Sequence, residues 1–295
     1  ASVAAAAVNE GLGLRVPAGE VAADELYVQG RPQLVVVAPD SLQILALRSA
    51  ERADAPAWQG VLTDLRERVV ELVRLASDGG KALAAAVATL PGVEHRLDLW
   101  HALRHVGRAE RKVLQAAYTA IDKEWQLERK AQRMDRTHPM GGYVWQQYEA
   151  ARRQAAEQIQ RSDGCETVGR WVRAALEAVD PRTGRVRGRQ ECLGELRAAT
   201  ALLRELKVAA ARQLADYLDE AGPALLAYAD ELVARLSPVL AALGDAGVRC
   251  LCREWLLQRA LRKARPAERT DRRLAYQQAH LLAMLHWRED YSAAR

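Results

Sequence analysis

The chain has no phenylalanine, and aromatic residues of all kinds make up only 5% of it. With alanine abundant and arginine far ahead of lysine, this suits a coding sequence biased toward G and C, and it carries no functional message. Cysteine is scarce as well: Cys165, Cys192, Cys250 and Cys252. Their spacing is neither a paired zinc motif nor a disulfide framework, so reduced thiols in a cytoplasmic protein are expected, with Cys250 and Cys252 as small apolar residues of a helix. No uninterrupted apolar stretch is long enough to cross a bilayer. Residues Ala1 to Val8 are apolar but lack a basic leader, and read as the start of a fragment rather than a signal peptide. There is no phosphate-cradling loop, nucleophile elbow or HExxH motif, and no repeat of fixed period. Charge of either sign is not in large excess: a formal +5 and a pI near 9.1 permit nucleic acid as a partner without demanding it.

What is present divides by period. Residues 1–20 form a lead-in of undetermined structure. Val21–Val28, Gln33–Ala38 and Gln43–Arg48 read as strands joined by short turns at Gly30-Arg-Pro32 and Pro39-Asp-Ser, which makes an antiparallel meander. Ala55 to Arg68 then carries Trp58, Val61, Leu62, Leu65 and Val69 at helical spacing, one apolar stripe to lay over a sheet. A buried strand Leu72–Ser77, a helix from Lys81 to about Leu90 and a strand Val93–Leu97 follow. The order β-β-β-α-β-α-β implies a meander followed by crossovers into parallel strands, the order of elements in the ribonuclease H-like fold. From Asp98 onward strand signals vanish. Helices are expected, broken at His138 to Gly142, Ser162-Asp-Gly164, Asp180 to Gly184, Ala221-Gly-Pro223, Ser237-Pro238 and Gly244 to Gly247, with a last helix from about Arg269 to Arg288.

Two acids stand out. Asp78 follows the fourth strand and precedes Gly79-Gly80, at the carboxyl end of a strand where open α/β sheets collect ligands. Asp24 lies inside the first strand, where alternation places it with Ala22, Leu26 and Val28. A carboxylate on an apolar face needs satisfaction, since even a neutral polar group costs about 2–7 kcal/mol to bury unpaired. If the fourth strand lies beside the first, the two carboxylates approach, and like charges about 4 Å apart repel by roughly 4 kcal/mol at an effective dielectric near 20. Mg²⁺ or Mn²⁺ between them would turn that repulsion into attraction. Taken singly, Asp24 reads equally well as an exposed acid, and Asp78 as a helix cap. Beyond them, His101, Arg104, His105 and Arg108 fall on one helical stripe, which reads either as a phosphodiester-facing surface or as a solvated face begun by a capping Asp98.

The segments Asp24-Glu-Leu-Tyr-Val-x-Gly-Arg-Pro32, Ser77-Asp78-Gly-Gly-Lys81 and Asp98-x-x-His101 together resemble the catalytic domain of bacterial insertion-sequence transposases of the DDE type, which carry a long helical insertion in a ribonuclease H-like fold. The resemblance implies a catalytic core over residues 21–111, its mixed five-stranded sheet followed by a helical insertion region over 112–295. It implies Asp24 and Asp78 as catalytic metal ligands and Asp98, His101 and Arg104 as supporting groups. It further implies Mg²⁺ or Mn²⁺ as cofactor, DNA (transposon ends and target) as substrate, DNA cleavage and strand transfer as the reaction, a homo-oligomer at full length, and a cytoplasmic, nucleoid-associated setting in a bacterium. The third acid of that family has no matching motif here. Glu254, Glu268 and Glu289 are late candidates that read better as solvated, so the chain is expected to stop short of the third acid, to lack the family's amino-terminal DNA-binding region, and to be incomplete and inactive alone. Two other readings compete: a non-catalytic nucleic-acid-binding or interaction module, and a different ribonuclease H-like nuclease. Basic clusters at Arg129 to Arg136, Arg182 to Arg189 and Arg259 to Arg273 suit either DNA backbone or solvent. Trp125, Trp145, Trp171, Trp255 and Trp287 are expected to pack or dock helices.

Overall fold

The computed structural model describes residues 19–39, 42–68, 71–134, 139–180 and 185–263. The chain separates into two compact units, residues 1–101 and 102–295.

The first unit holds a mixed five-stranded sheet in the order β3-β2-β1-β4-β5, with β1 Glu20–Val28, β2 Arg31–Ala38, β3 Gln43–Ser49, β4 Arg74–Ser77 and β5 Glu94–Leu97. The expected meander is present: β1 pairs antiparallel with β2, and β2 with β3. Gln29 and Gly30, both at positive φ, make the two-residue turn that matches strand twist in a hairpin. Beyond the meander β1 pairs parallel with β4, and β4 with β5, as crossover helices require. Those helices are α1 (Ala55–Arg68) and α2 (Lys81–Ala88). β4 begins at Arg74 rather than Leu72, because the backbone N–H groups of Val73 and Arg74 both turn to the Gly19 carbonyl.

Both helices pack over one face of the sheet. Trp58, Val61, Leu62 and Leu65 of α1 and Leu83, Ala86 and Val87 of α2 join Val21, Ala23, Leu34, Val36 and Leu75 in a single core. Trp58 is fully enclosed and donates its indole N–H to Glu25 at 3.0 Å. The two helices lie on the side of Val21 and Ala23, so alternation along β1 buries these two and leaves Asp24, Leu26 and Val28 exposed. Asp24 is therefore not enclosed among apolar side chains. The period was right, but the buried face is the opposite one, so no burial cost calls for a cation there.

The second unit is helical: α3 (Leu99–Arg133, its first residues belonging to the first unit), α4 (Gly141–Ala175), α5 (Arg189–Glu205), α6 (Ala209–Leu225) and α7 (Ala227–Lys263). Three expected breaks do not occur. Ser162-Asp-Gly164 lies inside α4, where a Cβ on Gly164 would sit 2.8 Å from the Leu206 side chain. Gly222 beside Pro223 lies inside α6, its missing Cβ making room for Leu196 of α5. These glycines serve close helix packing rather than chain reversal. Pro223 lies within the last turn of α6, and Pro238 lies within α7. Gly244, at positive φ, does kink α7 as expected. The last predicted helix and His138 lie outside the described residues.

Glu110 of α3 and Arg173 of α4 form a two-pronged ion pair at 2.6 and 2.7 Å, with a glycine at 169 because any Cβ would collide with the Glu110 carboxylate. The link from α4 to α5 is tied by Arg187. Its guanidinium is buried, donates to the carbonyls of Ala174 (2.6 Å) and Glu177 (2.5 Å), and pairs with Glu195. Tyr228 completes the tie: its hydroxyl donates to the Leu176 carbonyl and accepts from the Ala178 N–H, both at 2.8 Å, and burial pushes its pKa up to about 12. Among the described residues, no helix is long and apolar enough to cross a membrane.

Candidate functional site

The parallel half of the sheet fixes where the acids stand. The β1–β4 ladder runs Glu20↔Arg74, Val21↔Leu75, Ala22↔Ala76, and the β4–β5 ladder ends at Ser77↔Leu97. Asp24 and Asp78 thus lie at equal steps beyond Ala22 and Ala76, and Asp78 and Asp98 at equal steps beyond Ser77 and Leu97. The backbone N–H of Asp98 still donates to the Ser77 carbonyl at 2.7 Å, which carries the pairing to that point. Asp78 and Asp98 therefore follow the carboxyl ends of β4 and β5, and Asp24 stands midway along β1, two residues past its last pairing with β4.

The rows behind them are charged too. Glu20, Arg74 and Glu94 form one rung across β1, β4 and β5, and Arg96 closes on Glu94. Arg96, followed by Arg74, holds the Glu94 carboxyl below the usual carboxylate range.

Each acid is held by a single oxygen. Asp24 Oδ1 accepts from the Glu25 N–H at 2.8 Å, and Asp78 Oδ1 from the Gly80 N–H at 2.7 Å. Among the described residues no partner is recorded for the Oδ2 of either. Both side chains are exposed, and neither caps a helix: α2 starts at Gly80 without a side-chain cap. Carboxylate oxygens held at one end and open at the other suit a hard divalent cation, which needs only one or two protein carboxylates and keeps several waters. No group of three His, Cys, Asp or Glu side chains converges on one point among the described residues.

The loop carrying Asp78 is anchored by a pair that sequence reasoning passed over. Buried Ser77 meets His95 Nε2 at 2.7 Å, and its Oγ accepts the Gly79 N–H at 3.1 Å. Gly79 has φ +78°, and a Cβ there would come within 2.7 Å of Leu97, so the turn after the strand requires glycine. Burial lowers the His95 pKa from its ordinary 6.5, with the Asp78 charge pulling the other way. Ser77 Oγ, already accepting from Gly79, thus joins the turn to the His95 ring, with the donor between Oγ and Nε2 set by the ring's tautomer. The signal was the alternation that puts Ser77 and His95 on the core side of adjacent strands.

A pH dependence follows. The unfolded chain takes up a proton on His95 that the native state resists, so this contribution is intact above pH 6.5 and is lost as pH falls below it. Melting temperature should drop more steeply between roughly pH 7.5 and about pH 5 in the native chain than in His95→Gln, which cannot titrate. Equal slopes would show that the ring titrates normally.

Asp98 and His101 are brought together, chiefly as a helix start. Asp98 Oδ1 accepts from the Trp100 N–H at 2.7 Å, and Oδ2 meets His101 Nδ1 at 3.2 Å. Trp100 packs edge-on against the His101 ring. The cationic stripe is not uniform: His105 stacks on Tyr217 at 4.3 Å, while Arg104 and Arg108 are exposed. Of the basic clusters, Arg182 to Arg189 cannot lie along DNA as a unit, since Arg187 is buried as a helix tie and Arg185 pairs with Glu191. The expected packing of tryptophans also fails in part, for Trp125, Trp171 and Trp255 are about half exposed. The Glu254 side chain, Glu268, Glu289 and Trp287 lie outside what is described.

Fold and site together define an α+β protein with an acidic row at the carboxyl edge of a mixed sheet, joined to a helical unit. Comparison with known proteins adds no family: no protein-family profile, no curated protein and no solved structure matches the chain.

Proposed function

We propose that the chain carries the catalytic-core segment of a DNA transposase with a ribonuclease H-like sheet, in which Asp24 and Asp78 hold a divalent cation. The observation that carries this reading is the ladder register that sets the two aspartates at equal steps past Ala22 and Ala76 on neighbouring parallel strands. The strand order with its antiparallel meander and parallel extension supports it, as does the motif run from Asp24 through Asp78 to Asp98 and His101.

Mg²⁺ or Mn²⁺ bound there would supply Lewis-acid stabilisation of a phosphodiester and activation of water or a DNA 3′-hydroxyl. The protein's own part is positional. Asp24 and Asp78 present one open oxygen each, the Gly79-Gly80 turn leaves the space before Asp78 clear, and the Ser77–His95 pair fixes that turn. Asp98 and His101 start α3 beside the row, and exposed Arg104 is a supporting cation for DNA phosphate. A third acid, DNA ends and target, assembly of several copies and a nucleoid-associated place in a bacterial cytoplasm belong to the same proposal. The experiment is a Mn²⁺ titration followed by paramagnetic resonance: one site of roughly millimolar or tighter affinity is expected, weakened about tenfold or more by Asp24→Asn or Asp78→Asn. Unchanged binding in both variants would reject it.

A further inference from the structure

The face of α3 that carries Leu114, Tyr118, Ile121 and Trp125 is large, apolar and about half exposed, at 44%, 56%, 37% and 54%. The helix already has a buried stripe, formed by Ala102, Val106, Ala109, Val113, Ala117 and Ala120. At 100° per residue the exposed side chains lie roughly 110° round from it, so they form a second seam rather than the margin of the first. Their steps of four, three and four residues are those of a heptad seam. Arg129 sits over the Trp125 ring, 4.8 Å from its centroid, and holds the indole against the helix.

The next seam position on one side is Arg111 and on the other Glu128. No ion pair is recorded for either among the described residues. The pairs Leu114 with Trp125, Tyr118 with Ile121, and Arg111 with Glu128 share one midpoint, between Thr119 and Ala120. A two-fold axis through that point, perpendicular to the helix, lays the seam antiparallel on its own copy. Leu114 then meets the partner's Trp125, Tyr118 meets the partner's Ile121, and Arg111 meets the partner's Glu128 at both ends. A parallel pairing would set arginine on arginine and glutamate on glutamate.

We propose that this face of α3 is a homodimer interface in which two copies of the chain pair antiparallel about the point between Thr119 and Ala120. A two-fold contact requires this property, that residue i meets j while j meets i. Eight half-exposed side chains bury about 800 Å², below the roughly 1,200 Å² of a stable interface, so the contact is a weak, readily reversible one that rests on the Arg111–Glu128 pairs for its register. The inference stands apart from the metal reading, since it uses no residue of the acidic row.

Sedimentation velocity on the full chain across about 1–100 µM should show a reversible monomer–dimer equilibrium. Tyr118→Glu should leave monomer only, with unchanged far-ultraviolet dichroism. Arg111→Glu or Glu128→Arg alone should each raise the dissociation constant about tenfold, and the two together should return it to within roughly threefold of native. The exposed arginine and the half-buried glutamate sit on the helix surface, so the swaps keep the fold. A native chain that stays monomeric overturns the proposal, whether or not Trp125→Ala weakens binding of a single-stranded oligonucleotide. So does a dimer indifferent to the single swaps, or one that the double swap fails to restore.

Discussion

Trp58→Ala is expected to destabilise the sheet-bearing unit by about 3–5 kcal/mol, a large part of the stability that a domain of this kind possesses. Trp58 is the largest of the fully enclosed side chains among the described residues, and it sits where α1 meets the core strands. Truncation removes its buried area and leaves a void that Leu34, Val36 and Leu62 cannot collapse into without moving strands. It also strips the indole N–H from Glu25, a half-buried carboxylate with that donor 3.0 Å away. Trp58→Phe separates the two losses: area is largely retained, and the missing hydrogen bond costs about 1 kcal/mol. Amide hydrogen exchange on peptides covering β2 and α1 is the measurement, because it reads the local unit. Protection lost in Trp58→Ala and mostly kept in Trp58→Phe is the expected result. Equal loss in the two variants would show that the hydrogen bond to Glu25, not the buried ring, holds α1 on the sheet.

Arg187→Ala is expected to cost the helical unit about 2–5 kcal/mol, since the Ala174 and Glu177 carbonyls each lose their guanidinium donor, keeping only the Glu177 N–H and a weak Cys192 thiol contact, and Glu195 loses its partner. Arg187 is 1% exposed, and its guanidinium meets the Ala174 and Glu177 carbonyls at the end of α4. The last turn of a helix leaves carbonyls short of donors, and here a side chain thirteen residues on adds a charged one beside the Glu177 N–H at Ala174. Arg187→Lys should recover only part of the loss, since an ammonium cannot reproduce the planar fork that reaches two carbonyls and Glu195 together. Glu195→Gln should be milder, because Glu195 is 42% exposed and water can replace it. Urea denaturation followed at the α4–α5 link orders the three variants, and an Arg187→Ala cost no larger than that of Glu195→Gln would contradict the assigned role.

Much of the sheet-bearing unit was legible because its signals are local. β-branched runs such as Leu34 to Val37, turn residues such as Gly30 and Gly79, and the 3.6-residue stripe from Trp58 to Leu65 each name an element without help from the rest of the chain. Which face of β1 enters the core was not legible. Asp24, Leu26 and Val28 fit a buried face as well as an exposed one until it is known that α1 and α2 cover the side of Val21 and Ala23. In the helical unit Gly164 and Gly222 read as breakers, whereas their role depends on Leu206 and Leu196, distant in sequence. Arg187 read as a possible DNA contact for the same reason, since nothing local marks an arginine as the cap of another helix. Of the site, the positions of Asp24 inside β1 and of Asp78 just past β4 were legible from strand order and Asp-Gly-Gly. The Ser77–His95 anchor was hidden, as it depends on the parallel pairing of β4 with β5.

The central claim is that two aspartates, one in β1 and one just past β4, share a single cation. Mn²⁺ affinity of the full chain, measured for Asp24→Asn, Asp78→Asn and the double variant, tests it most directly. A shared ion predicts strong non-additivity: each single change removes most of the affinity, and the second adds little. Two independent losses that simply sum, or a double variant that binds Mn²⁺ as the native chain does, would contradict it.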